Sequence, residues 1–428
     1  MIFDSGSPKS RWALLLTSAT ISGLLIFHTV RIWLASARID ADDFPSLERG
    51  AQLEPGNADA WDRLGRFRQW NLANPDPAAA ADDYRIAVRE EPQSPYYWMD
   101  LAGAYEQTDD VAGARQAFEQ AEAAYPISAQ VAWQYGSFLV RQRETAEGLK
   151  QIRSAVLIDP SLLPLTISRV WLSTRDVNVL IGQVLPPNPG AYFQALDFFQ
   201  SIQQIDAALA VWRKLLSLGE PFALKRSFAF IDELIRQDRA EDAEKVWLDA
   251  VGAAGIRKPG NDSLIWDGGF TQDFANGGFG WRWDSPLGVA INFDAGRLGG
   301  EARSVRLDFG GGNNTDLDAP KQFVVVEPSH GYRFRAYLRT ERITTESGPR
   351  FSIVDPQHPG EVNVVTDNLV GTNPWTEAGA DVATGPDTHF VVVQLLRPPS
   401  RLFENRLAGS AWIADLSLLP SRQETSSK

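Results

Sequence analysis

The chain has 428 residues, 44% of them hydrophobic and 22% charged, with a formal net charge of −13 and no cysteine. That acidity speaks against nucleic acid as a ligand, because phosphate binding needs a basic surface. The missing cysteines exclude disulfides, thiol catalysis, cysteine zinc sites and lipid attachment through an N-terminal cysteine. The length is ample for a core without covalent staples.

Trp12 to Val30 is nearly all apolar. At about 1.5 Å per residue this stretch spans a hydrocarbon core of about 30 Å, so residues 12–30 are expected to cross a membrane. Lys9 and Arg11 precede it; Arg31 and Arg38 follow it, before the acidic Asp40, Asp42 and Asp43. Cations balance across the span, so the positive-inside rule gives a slight preference only. A first span behind a short basic leader acts as a signal anchor. That leaves the N-terminus cytoplasmic and exports the bulk of a single-pass protein to the periplasm or its equivalent. Two alternatives stay open: cleavage after Ala35-Ser36-Ala37, an A-x-A-like site, and an inverted anchor with a cytoplasmic array. Residues 1–38 form the expected leader and anchor.

A residue ladder with a step of 34 follows. Tyr84, Phe118 and Ile152 are 34 apart, as are Ala87, Ala121 and Ala155, and Pro92, Pro126 and Pro160. The clearest unit reads Trp98-x2-Leu101-Ala102-x2-Tyr105, then Ala114-x3-Phe118-x2-Ala121-x4-Pro126. It resembles the tetratricopeptide repeat, in which small residues let paired helices approach, large ones fill the gap and proline stops the second helix. The unit before it carries Trp61, Leu64, Gly65, Ala80, Tyr84, Ala87 and Pro92, with a longer internal turn. The unit after it carries Gly136, Leu139, Gly148, Ile152, Ala155 and Pro160. Beyond Pro160 the ladder loosens: Ala208, Trp212 and Leu215 recur as Ala243, Trp247 and Ala250, now 35 apart. Residues 39–258 are read as about five helical pairs forming an α-solenoid. They hold 32 Asp and Glu against 22 Lys and Arg, a net of −10. The resemblance implies a protein partner on the concave face.

Composition shifts after Lys258-Pro259-Gly260-Asn261. Gly, Asn, Asp and Pro now punctuate short β-rich runs, and nine or ten strands are expected over 261–420. Tyr332 to Arg339 alternates, with Tyr332, Phe334, Ala336 and Leu338 on one face and Arg333, Arg335, Tyr337 and Arg339 on the other. Gly310 to Thr315 reads as a hairpin loop. Residues 421–428 are expected to be a disordered tail.

Leu264-Ile-Trp-Asp-Gly-Gly-Phe270, Gly280-Trp281 and the closing Trp412-Ile-Ala-Asp-Leu-Ser-Leu418 together resemble carbohydrate-binding jelly rolls of the family 4/9 type. Gln322 and the run Tyr332, Phe334, Ala336 and Arg339 extend the likeness. It implies an antiparallel β-sandwich that can contact a polysaccharide. Sugar binding needs flat aromatics for C–H faces and polar side chains for hydroxyls. Trp283, Arg335, Tyr337, Trp375 and Gln394 are the candidates. The family also implies a structural calcium, for which Asp267 and Asp415 offer oxygen ligands, but Thr271 stands where the family often carries an acidic residue. No cofactor signature occurs.

Catalytic motifs are missing: there is no G-x-S-x-G, H-E-x-x-H or P-loop pattern, and only four histidines. An enzyme is not expected. The whole reads as a transmembrane helix, a tetratricopeptide-like solenoid and a jelly-roll sandwich. Its expected role is an envelope scaffold in the assembly or export of a surface polysaccharide. A purely structural scaffold without sugar binding is the alternative.

Overall fold

The structure is a computed structural model and describes residues 8–40, 43–257 and 262–421. It divides into two compact units, one ending at Pro186 and one beginning at Pro187. The junction at 258–261 and all but Ser421 of the expected tail lie outside the described residues.

The first unit is helical. Helix α1 (Pro8–Ile39) is the one helix among the described residues long and apolar enough to cross a membrane, over Arg11–Ile39. Next come α2 (Phe44–Leu53), α3 (Ala58–Trp70), α4 (Pro77–Glu90), α5 (Pro95–Gln107), α6 (Val111–Ala124), α7 (Ala129–Arg141) and α8 (Thr145–Ile158). Helix starts follow from local chemistry. Asp43, Asn57, Asp76, Asp110 and Ser128 each accept a hydrogen bond from a backbone N–H in the first turn, satisfying donors the helix cannot. Proline opens α4 and α5, where its missing N–H costs nothing.

The 34-residue ladder is the packing seam of three tetratricopeptide-like hairpins, α3–α4, α5–α6 and α7–α8. Ala80, Tyr84, Ala87, Ala114, Phe118, Ala121, Ile152 and Ala155 are all buried. A Cβ on Gly136 would come within 2.7 Å of the Gly148 carbonyl oxygen, and one on Gly148 within 2.7 Å of the Gly136 oxygen. The indoles of Trp61 and Trp98 donate to the carbonyls of Pro55 and Pro92, at 3.0 and 2.9 Å. The ring therefore fastens its own helix to the preceding turn. After α8 come a 3-10 turn, α9 (Leu163–Thr174) and α10 (Val177–Val179), which runs into a π-helical turn at Leu180–Val184.

The second unit opens with α11 (Pro189–Ser201), α12 (Ile205–Ser217), α13 (Phe228–Arg236) and α14 (Ala240–Ala253). Ala208, Trp212, Leu215, Ala243, Trp247 and Ala250 are buried. Strands β1 (Val289–Ala295), β2 (Arg303–Gly310), β4 (Gly331–Ile343), β7 (Gly371–Ala383) and β9 (Ala408–Pro420) form a sheet of order β1-β2-β9-β4-β7. Strands β3 (Lys321–Val325), β5 (Arg350–Val354), β6 (Asn363–Val365) and β8 (Phe390–Leu396) form another, of order β3-β8-β5-β6. All pairings are antiparallel. Val305, Leu307, Phe334 and Leu338 of the first sheet share one core with Val324, Phe351, Ile353, Val391 and Val393 of the second. Period-2 alternation assigns these faces.

Two differences from the sequence reading follow. Gly310–Thr315 is no hairpin: β2 and β3 belong to different sheets, so this run crosses between layers. A glycine-rich turn looks the same in sequence either way, since distant pairing decides it. The compact unit also begins at Pro187 rather than near residue 261, so α11–α14 belong with the sheets.

The reason lies on the outer face of the four-stranded sheet. Val324, Val391 and Val393 point into the core, so Phe323, Val325, Phe390 and Val392 point out. Phe390 is nonetheless fully buried and Val392 is 6% exposed. Phe279 stacks on Phe390 with centroids 6.2 Å apart, and Trp247 of α14 packs on Phe279 and Trp266. Arg282 lies over Phe323 and pairs with Asp232 of α13 at 2.6 Å. His389 Nδ1 lies 2.9 Å from Asp238 Oδ2, and Gln357 donates to the Ile235 carbonyl. Gly277 and Gly278 have no room for a Cβ against Phe228 and Trp247, and Gly278 has φ +53°. Glycine there lets the loop lie flat on the helices.

Candidate binding faces

With one sheet face covered by helices, the open one is the outer face of β1-β2-β9-β4-β7. Strand β4 presents Arg333, Arg335, Tyr337 and Arg339 there, while Tyr332, Phe334, Ala336 and Leu338 are buried beneath. The register sets Arg339 opposite Trp412 of β9, and Trp412 opposite Arg306 of β2. A bulge in β9 carries Asp415, whose φ is +51°.

The rings on this face are already partnered. The Arg297 guanidinium lies 3.6 Å from the Tyr337 ring centroid and pairs with Asp415 at 3.0 Å. Tyr337 donates to Glu377 at 3.2 Å, and Arg335 lies 3.8 Å from the same carboxylate. Arg339 covers the Trp412 ring at 4.5 Å. The Trp412 indole donates to Asp294 at 2.9 Å. Arg306 joins Asp294 and Asp308, and Ser410 and Asn292 donate to Asp308. Guanidinium–ring contacts of this kind are worth about 0.5–2 kcal/mol each, and the paired carboxylates leave the face near neutral. Trp375 is half-buried and lines a groove of about 730 Å³ with Arg339, Thr340, Glu341, Asn373 and Pro374.

Of the sequence candidates, Arg335, Tyr337 and Trp375 thus share one sheet. Gln394 sits on the other sheet, in register with Lys321 and Ser352. Trp283 packs against the edge of the sandwich core, and its backbone N–H donates to Asn276. Trp412, Arg297 and Arg306 join Arg335 and Tyr337 on this face, the two arginines without a local signal in the sequence. Parity on β9 alone could have flagged Trp412, but the register that sets it beside Arg339 is nonlocal.

The implied calcium finds its oxygens in use. Asp267 accepts from the Thr271 N–H and hydroxyl and the Gln272 N–H, each at 2.8 Å. Asp415 is held by Arg297. Among the described residues no group of three or more His, Asp and Glu is gathered to hold a metal. The residues therefore do not fit the group.

The repeat array presents a second face. Arg66 of α3 reaches Asp100 of α5 at 2.8 Å and Asp62 at 2.9 Å, and Arg141 of α7 pairs bidentately with Glu106 of α5. Successive first helices are thus tied at the repeat step. Asp62 is 1% exposed, with the Arg66 guanidinium against its carboxylate. Burial, then the nearby Asp100 carboxylate, pushes its carboxyl to about 8 against the pull of Arg66. Asp83 of α4 is likewise raised, to about 6, by burial, and Arg68 opposes the rise. Beside α3 an open groove of about 1440 Å³ is lined by Asp40, Arg63, Arg66, Phe67, Trp70 and Leu72.

No known family profile matches the chain, and no curated protein matches it. Among solved structures it is similar to MamA, at 15% identity and a TM-score of 0.27 over 41% of this chain and 85% of that one. It is similar to YrrB, described as a TPR protein with an unusual peptide-binding site, at 12% and 0.24 over 49% and 92%. It is similar to PilF of Pseudomonas aeruginosa, at 13% and 0.28 over 54% and 92%. The tetratricopeptide-like character of the array rests on its own 34-residue seam, not on these low scores.

Proposed function

We propose that this chain is a membrane-anchored envelope scaffold. In this reading α1 crosses the membrane with the N-terminus in the cytoplasm, and the array docks a protein partner outside it. The observation that carries the docking role is the groove beside α3, where Trp70 is 65% exposed and Leu72 fully exposed next to Arg63 and Arg66. An aromatic and an aliphatic side chain flanked by guanidiniums is the mix enriched in protein interfaces. A photo-crosslinking residue in place of Trp70 should give a discrete protein adduct in cells. Adducts no different from those of an exposed control position on α6, such as Gln116, would overturn it.

A second reading is favoured by Trp375. The order of the jelly-roll motifs and the Trp375 groove, with Arg339 and Asn373 as hydroxyl partners, support contact with a glycan and a role in surface polysaccharide assembly or export. Calorimetric titration of the detergent-solubilised protein with bacterial and plant polysaccharides tests it. Binding lost on Trp375→Ala supports it. No binding to any polysaccharide leaves a purely structural scaffold.

A further inference from the structure

Helix α1 does two jobs in sequence. Every described side chain from Arg11 to Val30 is exposed, and the apolar ones among them are the expected lipid-facing surface. From Arg31 the pattern changes: Arg31 is half-buried, and Ala35 and Ile39, one turn apart beyond it, are buried, at 0% and 6% exposure. The helix does not break between the two regions.

Ala35 and Ile39 pack on α2. A Cβ on Gly50 would lie 2.8 Å from Ile39 and 3.3 Å from the Ala35 carbonyl. Ile39, Leu47, Ala51, Ala60 and Leu64 form one core. Leu47, Gly50 and Pro55 stand 37 residues before Tyr84, Ala87 and Pro92, which is the 34 step plus the longer turn within the next unit. Helix α2 is therefore the second helix of an additional repeat, and residues 31–39 of α1 take the place of its first.

Height above the membrane follows. Trp12 and Trp33, 68% and 66% exposed, are 21 residues apart, about 31 Å along a helix, which matches aromatic belts at the two faces of a bilayer. Ala35 and Ile39 then lie only about 3 and 9 Å past Trp33. Helix α2 runs back along α1, so Leu53, 37% exposed, and the turn to α3 return to the level of Trp33.

We infer that the repeat array begins inside the anchor helix itself and stands on the membrane without a linker, its α2–α3 turn resting in the lipid headgroup layer. This rests on the anchor reading above. The protein has no cysteine, so single labels are readily placed. Gly56 in that turn has open space around an added Cβ, and Leu72 lies at the other end of α3, about 20 Å higher. The full chain carrying Gly56→Cys or Leu72→Cys, labelled with an environment-sensitive fluorophore, is reconstituted into vesicles of equimolar phosphatidylcholine and phosphatidylglycerol. Headgroup spin-labelled lipid should quench the Gly56 label several-fold more than the Leu72 label. Equal quenching at both sites would overturn the inference. Failure of the unlabelled protein to float with vesicles at all would instead sink the anchor reading. Leu53→Cys, labelled the same way, guards against a local effect at Gly56.

Discussion

The indole of Trp247 on α14 meets that of Trp266 edge to face, with centroids 5.3 Å apart and planes at 82°. One ring belongs to a repeat-like helix and the other to the opening segment of the sandwich. Trp247 also packs on Phe228 and Phe279, and Phe279 passes the contact to Phe390 of β8. Helices and sheets of the second unit therefore share a core. Trp247→Ala should destabilise a fragment of residues 187–421 by about 3–5 kcal/mol, as large-to-small core substitutions do. A fragment starting at 262 should bind a hydrophobic dye and melt earlier than one starting at 187. Equal denaturant midpoints for the two fragments would show that the helices merely touch the sandwich.

Arg297 makes a metal unnecessary at the bulge of β9. It neutralises Asp415 and covers Tyr337, while Thr271 and Gln272 occupy Asp267. Thermal unfolding of the 187–421 fragment should not change between calcium and a chelator. Arg297→Ala should lower stability by about 1–2 kcal/mol, since it strips a part-buried carboxylate of its charged donor. A calcium-dependent rise in melting temperature in the unsubstituted protein would reverse this assignment.

How much of this could be read beforehand depended on how local the cause was. The 34-residue seam is visible because Tyr84, Phe118, Ala87 and Ala121 fill the same packing role in each hairpin, and role fixes residue type. The two faces of β4 are visible because pleating alternates them. What pairs with what is not: Trp412 beside Arg339, or β3 beside β8, follows from register between distant segments. The covering of Phe390 by Phe279, with Trp247 of α14 behind it, is also hidden. An apolar strand buried on its second face by helices carries the same composition as one buried by a sheet.

Gly136 and Gly148 approach so closely that each would place a Cβ 2.7 Å from the other's carbonyl oxygen. A backbone oxygen cannot swing aside as a side chain can. Gly136→Ala should therefore cost about 1–3 kcal/mol by overpacking, despite the better helix propensity of alanine. Hydrogen exchange in α7 and α8 should speed up accordingly, with α3 and α4 unchanged. Unaltered protection in α7 would mean that the two helices take in the added methyl without loss of stability.

Asp62 should make the array less stable as pH rises. Its carboxyl is raised from the ordinary 3.8 to about 8, with burial the leading cause, so the folded state holds a proton that the unfolded chain releases. An acid raised in this way leaves folding unpenalised below the unfolded value near 4. The penalty grows as pH climbs through the window up to about 8, because the folded chain binds more protons there. Asp62→Asn removes the titration and keeps the shape, while Arg66 retains Asp100 as its partner. The variant should match the parent near pH 4 and exceed it at pH 8. Each kcal/mol gained would shift the melting temperature by about 2–4 °C in a unit of this size. A variant less stable than the parent at pH 8 would mean that Asp62 is ionised there and that its pairing with Arg66 outweighs the burial of its charge.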